Sequence, residues 1–161
     1  MRRFLCGAVV LFAVVVANGS SATAAPRAIA TGTWDCTVAT DYAEGPHRTA
    51  GGNNTIFTWS ATGCAYAGDL SGTFSPYGTR VVKRNGSFAD HGMIVCTGCT
   101  LAGRTGDFTG VQDFRGTPDD FRGTISVRNA MGRLAGLRAK IRFRTTSADK
   151  GTYTIRYSFK R

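Results

Sequence analysis

Leu137-Arg138-Ala139-Lys140-Ile141-Arg142-Phe143-Arg144 and Tyr153-Thr154-Ile155-Arg156-Tyr157-Ser158-Phe159-Lys160 decide how this chain folds. In both stretches apolar and polar residues alternate strictly. Successive side chains of a strand point to opposite faces, so each stretch is apolar on one side and mostly basic on the other. A helix would wrap both sets around its axis. Between them lie Ser147, Asp149 and Gly151, all turn formers. The spacing predicts two adjacent antiparallel strands with a packed inner face and a cationic outer face.

The same alternation recurs upstream. Trp34, Cys36 and Val38 mark a first strand. Residues 41–54 hold Gly45, Pro46, Gly51, Gly52, Asn53 and Asn54 and read as a long loop. Phe57, Trp59 and Ala61 mark a second strand, with Gly63 a candidate bulge before Cys64 and Tyr66. Leu70 to Phe74 gives a third strand, stopped by Pro76-Tyr77-Gly78. Val81 and Val82 lie in a fourth, ended by the hairpin signal Asn85-Gly86. Phe88 to Cys96 is a fifth. Phe108, Gly110, Gln112 and Phe114 share one face of a sixth, and Phe121, Gly123, Ile125 and Val127 one face of a seventh. With the opening pair this makes eight or nine short strands, rich in glycine turns, and no helix. The expected fold is all-β: one small antiparallel closed barrel. Nothing follows the last strand to cover its edge, so it is expected to close against the first.

The N-terminus reads differently. Arg2 and Arg3 precede an apolar run from Phe4 to Ala17, and Ala22-Thr23-Ala24 fits a small-residue cleavage site. Ala28-Ile29-Ala30 is a second candidate. The run falls short of the roughly 20 residues of a membrane-spanning helix. Cys6 opens the run rather than closing it, which does not suit a lipid anchor. We read residues 1–25 as a removed export signal and 26–161 as a single domain, secreted and without a transmembrane segment.

Export sets the reading of the cysteines. Cys36, Cys64, Cys96 and Cys99 remain after the signal, an even number in an oxidising compartment. Four cysteines allow three connectivities. Gly98 between Cys96 and Cys99 permits a local bridge across a tight turn, and Cys36 then pairs with Cys64. A thioredoxin-like or zinc role for Cys96-Thr97-Gly98-Cys99 would need a helix N-terminus or a second close pair, and neither is present. No metal and no cofactor is expected.

The chain carries 20 Lys+Arg against 10 Asp+Glu, and the excess is uneven. Residues 26–127 hold eight basic and nine acidic side chains; residues 128–161 hold ten basic and one acidic, Asp149. Arg138, Lys140, Arg142 and Arg144 on one strand, with Arg156 and Lys160 on its neighbour, form a candidate anion-binding face. A wall polymer or another anionic component of the cell surface is the partner such a face fits. No aromatic interleaves these cations, so sequence-specific or base-stacking nucleic-acid binding is not expected.

Catalytic residues are not recognisable. His47 and His91 are the only histidines and Glu44 the only glutamate. Asp90 and His91 are adjacent on a strand and so face opposite ways. We assign no catalytic residue and lean against an enzyme. The inward aromatics offer a second possibility, a mouth that holds a small apolar ligand. Its candidate pocket residues are Trp34, Trp59, Phe74, Phe108, Tyr153 and Tyr157.

Several blocks carry a resemblance. Gly68-Asp69-Leu70-Ser71-Gly72, Leu101 to Phe108 with Phe114-Arg115-Gly116-Thr117, Gly132-Arg133-Leu134-Ala135-Gly136-Leu137 and the closing strand Gly151 to Tyr157 occur in an order that resembles a bacterial family of unassigned function, related to the allene oxide cyclase barrel. The resemblance implies a calycin-like barrel of about eight strands. It brings no activity of its own. Related barrels include cyclases of oxidised fatty acids and of polyketides, so an enzymatic form of the pocket reading would be a cyclase or isomerase.

Overall fold

The computed structural model describes residues 27–160, and the expected export signal, with Cys6, lies outside them. Eleven strands form: β1 (Ala28–Asp35), β2 (Asp41–Glu44), β3 (Arg48–Ala50), β4 (Asn54–Thr62), β5 (Cys64–Gly68), β6 (Leu70–Val82), β7 (Phe88–Leu101), β8 (Arg104–Thr117), β9 (Asp120–Ala130), β10 (Leu137–Ser147) and β11 (Lys150–Phe159). Eight of them close a ring in the order β6-β5-β1-β11-β10-β9-β8-β7, with β7 returning to β6. The pair that opened the sequence reading forms in the expected register: Ile141 faces Ile155, and Phe143 faces Tyr153. The closure expected at the chain ends also forms, from Ala28 opposite Tyr157 to Asp35 opposite Lys150. Cleavage after Ala30 would delete the start of this seam. Cleavage after Ala24 leaves it whole.

Local chemistry explains where the sequence reading differs from the structure. The first strand ends at Asp35, and Val38 stands exposed beyond it. The expected loop over 41–54 is partly ordered on the edge of β4, which pairs with both β2 and β3. The expected third and fourth strands are one, β6. Pro76 does not break it because it falls where pairing changes hands: β4 pairs as far as Tyr77 and β5 resumes at Phe74. A missing N–H costs little opposite such an irregularity. That irregularity is the bulge at Gly63, whose φ of +83° lies in the left-handed region that glycine tolerates. The Cys96–Cys99 segment is a bulge inside β7, not a turn at its end. Both expected disulfides form, Cys36–Cys64 with Cα atoms 4.3 Å apart and Cys96–Cys99 with Cα atoms 5.9 Å apart.

Two rows of inward-facing residues, matched by cross-strand pairing, run from β1 through β11, β10, β9, β8, β7 and β6 to β4. One reads Ala30, Ile155, Ile141, Ile125, Gln112, Gly92, Gly78, Trp59. The next reads Gly32, Tyr153, Phe143, Gly123, Phe114, Asp90, Arg80, Phe57. The isoleucines and aromatics pack the β9–β11 side. On the β6–β8 side two glycines contribute no side chain and three polar residues face inward.

One end of the barrel is plugged. A short 3-10 turn, Gly132–Leu134, buries Leu134 completely, beside Leu70, Leu101 and Phe108. Tyr153 ties the wall there: its hydroxyl accepts the Leu70 N–H at 2.9 Å and donates to the Leu70 carbonyl at 2.8 Å. The other end stays open. The β1–β11 seam stops at Asp35 and Lys150, and β2 pairs only with β4. The Cys36 N–H donates to the Asp149 carbonyl at 2.7 Å just past the seam, and Tyr42 of β2 and Asp149 of the β10–β11 turn both border the opening.

Candidate functional site

That open end leads into a cavity of about 450 Å³. Its floor is apolar: Phe74, Pro76, Ile94 and Ile125. Its walls are aromatic, with Trp34, Trp59, Phe114, Phe121 and Phe143, and its rim is Tyr42, Pro118, Ala148 and Asp149. Trp34 is held against the wall by Phe121, with ring centroids 5.8 Å apart. It also lies over Gly151, where any Cβ would sit 2.4 Å from the indole nitrogen. The Arg144 carbonyl would be closer still to that Cβ, at 2.1 Å, so glycine at 151 is required by the approach of the neighbouring strand together with the Trp34 ring.

Of the residues singled out as pocket candidates, Trp34, Trp59 and Phe74 line the cavity. Phe108, Tyr153 and Tyr157 do not. Phe108 belongs to the plugged end, Tyr153 spends its hydroxyl on Leu70, and Tyr157 packs edge-on against Phe159. Height along the barrel decides this: Phe108 stands opposite Cys96 of β7 and Tyr153 reaches Leu70 at the start of β6, both toward the plugged end. Trp34 is buried, whereas Trp59 is only half-buried because the cavity exposes one side of its ring.

Three polar residues reach the interior without having been singled out. Asp90 is fully enclosed and accepts from Arg80 Nε at 3.1 Å and from the Trp59 indole N–H. Burial pushes its carboxyl above the usual range, while the Arg80 charge and the Trp59 hydrogen bond pull it back. Arg80 lines the cavity with its side chain 23 % exposed, and its guanidinium lies 4.8 Å from the Trp59 ring and 4.5 Å from that of Phe88. Gln112 is completely buried in the cavity wall. Alternation within β8 already put Gln112 among inward aromatics, so that signal was present. Arg80 was hidden because Pro76 was read as the end of a strand.

Asp90 and His91 do face opposite ways. His91 is exposed and pairs outside with Asp113 at 2.7 Å.

The six cations of the basic face all stand exposed on the outer wall. Cross-strand pairing brings Arg122 beside Arg144, and Arg115 beside Arg122, so the face extends over β8 and β9. Lys140 stands directly opposite Arg156. Among the described residues the ion pairs are His47–Glu44, Arg80–Asp90, His91–Asp113 and Lys150–Asp35, none on this face.

No family model and no curated protein matches the chain. Its fold does match a solved structure, a protein of unknown function from the DUF3224 family of Shewanella oneidensis MR-1. The TM-score is 0.66 at 17 % identity, over 84 % of this chain and 99 % of that one. At that identity the likeness establishes the barrel fold, shared with a bacterial family of unassigned function.

Proposed function

We propose that this chain is an exported barrel, with signal 1–25 removed and domain 26–161 retained, that holds a small, mainly apolar molecule in its open mouth. One observation carries the reading: an aromatic-lined cavity of about 450 Å³ opens to solvent at one end of an otherwise packed barrel. Two disulfides are compatible with an extracellular setting. The reading is of a carrier or sensor, since the one buried carboxylate among the described residues, Asp90, is already engaged by Arg80 and Trp59. Kinship with the allene oxide cyclase barrel, and the isomerase activity it would imply, rests on the motif resemblance alone. Both tryptophans of the chain line the cavity, so any occupant changes the intrinsic fluorescence. Titration with a neutral apolar dye, N-phenyl-naphthylamine, is expected to quench it saturably with one molecule per chain. No saturable change would mean that the mouth is simply an edge of the core.

A second reading concerns the outer wall, and the cross-strand row Arg115, Arg122, Arg144 favours it. Like charges two positions apart along a strand stand about 6.6 Å from one another and repel. An anionic polymer of the cell surface lying across β8 to β11 would relieve that repulsion and release its own counterions. Arg138→Ser, Lys140→Ser and Arg142→Ser combined is expected to elute from heparin at clearly lower salt than the wild type. Equal elution would leave the face as a solvated surface.

A further inference from the structure

Gln112 presents a problem that the apolar cavity does not solve. Its Nε2 donates to the Tyr77 carbonyl at 3.4 Å. Only the NH2 end of the amide can face a carbonyl, so the orientation is settled and Oε1 points the other way. That oxygen is buried and has no hydrogen-bond partner among the described residues. Its neighbours on the cavity floor, Ile94 and Ile125, offer no donor. An unmet acceptor in an apolar floor is costly to the empty protein and favours whatever supplies a donor.

Arg80, on the same cavity wall, has the opposite need. Nε is used by Asp90, and the faces of the guanidinium are covered by Trp59 and Phe88. The terminal N–H groups make no hydrogen bond among the described side chains and backbone, and the residue borders the cavity. They are donors without acceptors. The charge of Arg80 is meanwhile balanced by the bonded Asp90 carboxylate. A ligand anion would crowd that carboxylate and pass Asp90's fellow acid Asp149 at the rim, and a ligand cation would face Arg80.

Building on the mouth-cavity reading, we propose that the site selects an uncharged, oxygenated hydrophobe. Its hydroxyl or N–H donates to Gln112 Oε1, and an oxygen of the same molecule accepts from Arg80.

The test compares para-propylphenol, propylbenzene and para-propylbenzoate by calorimetry on the intact mature protein. The phenol is expected to bind about tenfold tighter than propylbenzene, the value of one well-made hydrogen bond, and tighter than the benzoate. Gln112→Leu and Gln112→Met are expected to erase the preference for the phenol over propylbenzene. The wild-type comparison stands even where one variant folds poorly. Equal binding of phenol and propylbenzene would mean that water alone satisfies Gln112, and would overturn the inference while the cavity reading survives. Tightest binding of the benzoate, or a preference that persists in both variants, would overturn it too. Failure of all three compounds to bind would remove the cavity reading itself.

Discussion

Arg80→Leu is expected to lose about 3–5 kcal/mol of stability at neutral pH, because it leaves the Asp90 carboxylate enclosed and without its counter-charge. Asp90 has no solvent-exposed side-chain surface; Arg80 and Trp59 both donate to its Oδ2, and its Oδ1 has no partner among the described residues. Trp59 still donates to Oδ2, but one neutral donor does not replace a guanidinium. The loss depends on pH in a definite direction. Burial already holds this carboxyl above its ordinary value of 3.8, and removing Arg80 removes the largest opposing influence. A carboxyl raised in the folded state keeps its proton there after the unfolded chain has released it. Stability therefore falls as pH climbs through the interval above 3.8 and levels off beyond the folded value. The difference between Arg80→Leu and wild type should be small at about pH 4.5 and full at about pH 7.5. Urea unfolding at the two pH values measures it. Arg80→Leu with Asp90→Leu should recover most of the loss, since a pair replaced by apolar groups costs far less than a pair broken. A single variant within about 1 kcal/mol of wild type at neutral pH would show that Asp90 is not held by Arg80 in solution.

Removing the Cys36–Cys64 bridge is expected to cost about 3.5 kcal/mol, against about 2 kcal/mol for Cys96–Cys99, from the chain-entropy dependence on loop length. The sequence separations are 28 and 3 residues. The first bridge also sits at a weak point of the wall. It joins the end of β1 to the start of β5 where β1 leaves β11 and the mouth begins, and Cys36 itself borders the cavity. Cys36→Ser with Cys64→Ser should therefore weaken occupancy of the mouth as well as stability. Cys96→Ser with Cys99→Ser should leave occupancy as it was, because that bridge does not border the cavity. Unfolding free energies extrapolated from urea titrations, each with its own slope, give the comparison, because losing a bridge expands the unfolded chain and steepens the slope. An equal or larger loss from the Cys96–Cys99 pair would contradict it.

What the sequence determined by itself was whatever depends on neighbours along the chain. Alternation from Leu137 to Phe143 and from Tyr153 to Phe159 assigned the strands, their inner faces and the basic outer face, since the two-residue period is a property of the backbone alone. The Asn85-Gly86 hairpin and the Gly63 bulge were legible for the same reason: each is a local demand on φ. The pairing of the four cysteines followed from their spacing once export was assumed.

Tertiary structure alone decided which inward residues meet one another. Trp59, Gln112 and Ile125 share a row because four ladders were added in one register, and no local pattern carries that offset. Arg80 and Asp90 are ten residues apart, on strands joined by a hairpin, yet the continuity of β6 through Pro76 was needed to turn Arg80 inward. The open mouth depends on where the β1–β11 seam stops and on β2 finding a partner on one side only. Phe108, Tyr153 and Tyr157 looked equivalent to Trp34, Trp59 and Phe74 in the sequence, because alternation says that a side chain points inward and not at what height or against which wall. Height and wall come from the closure of the ring, which long-range pairing sets, and so the site was read from the fold.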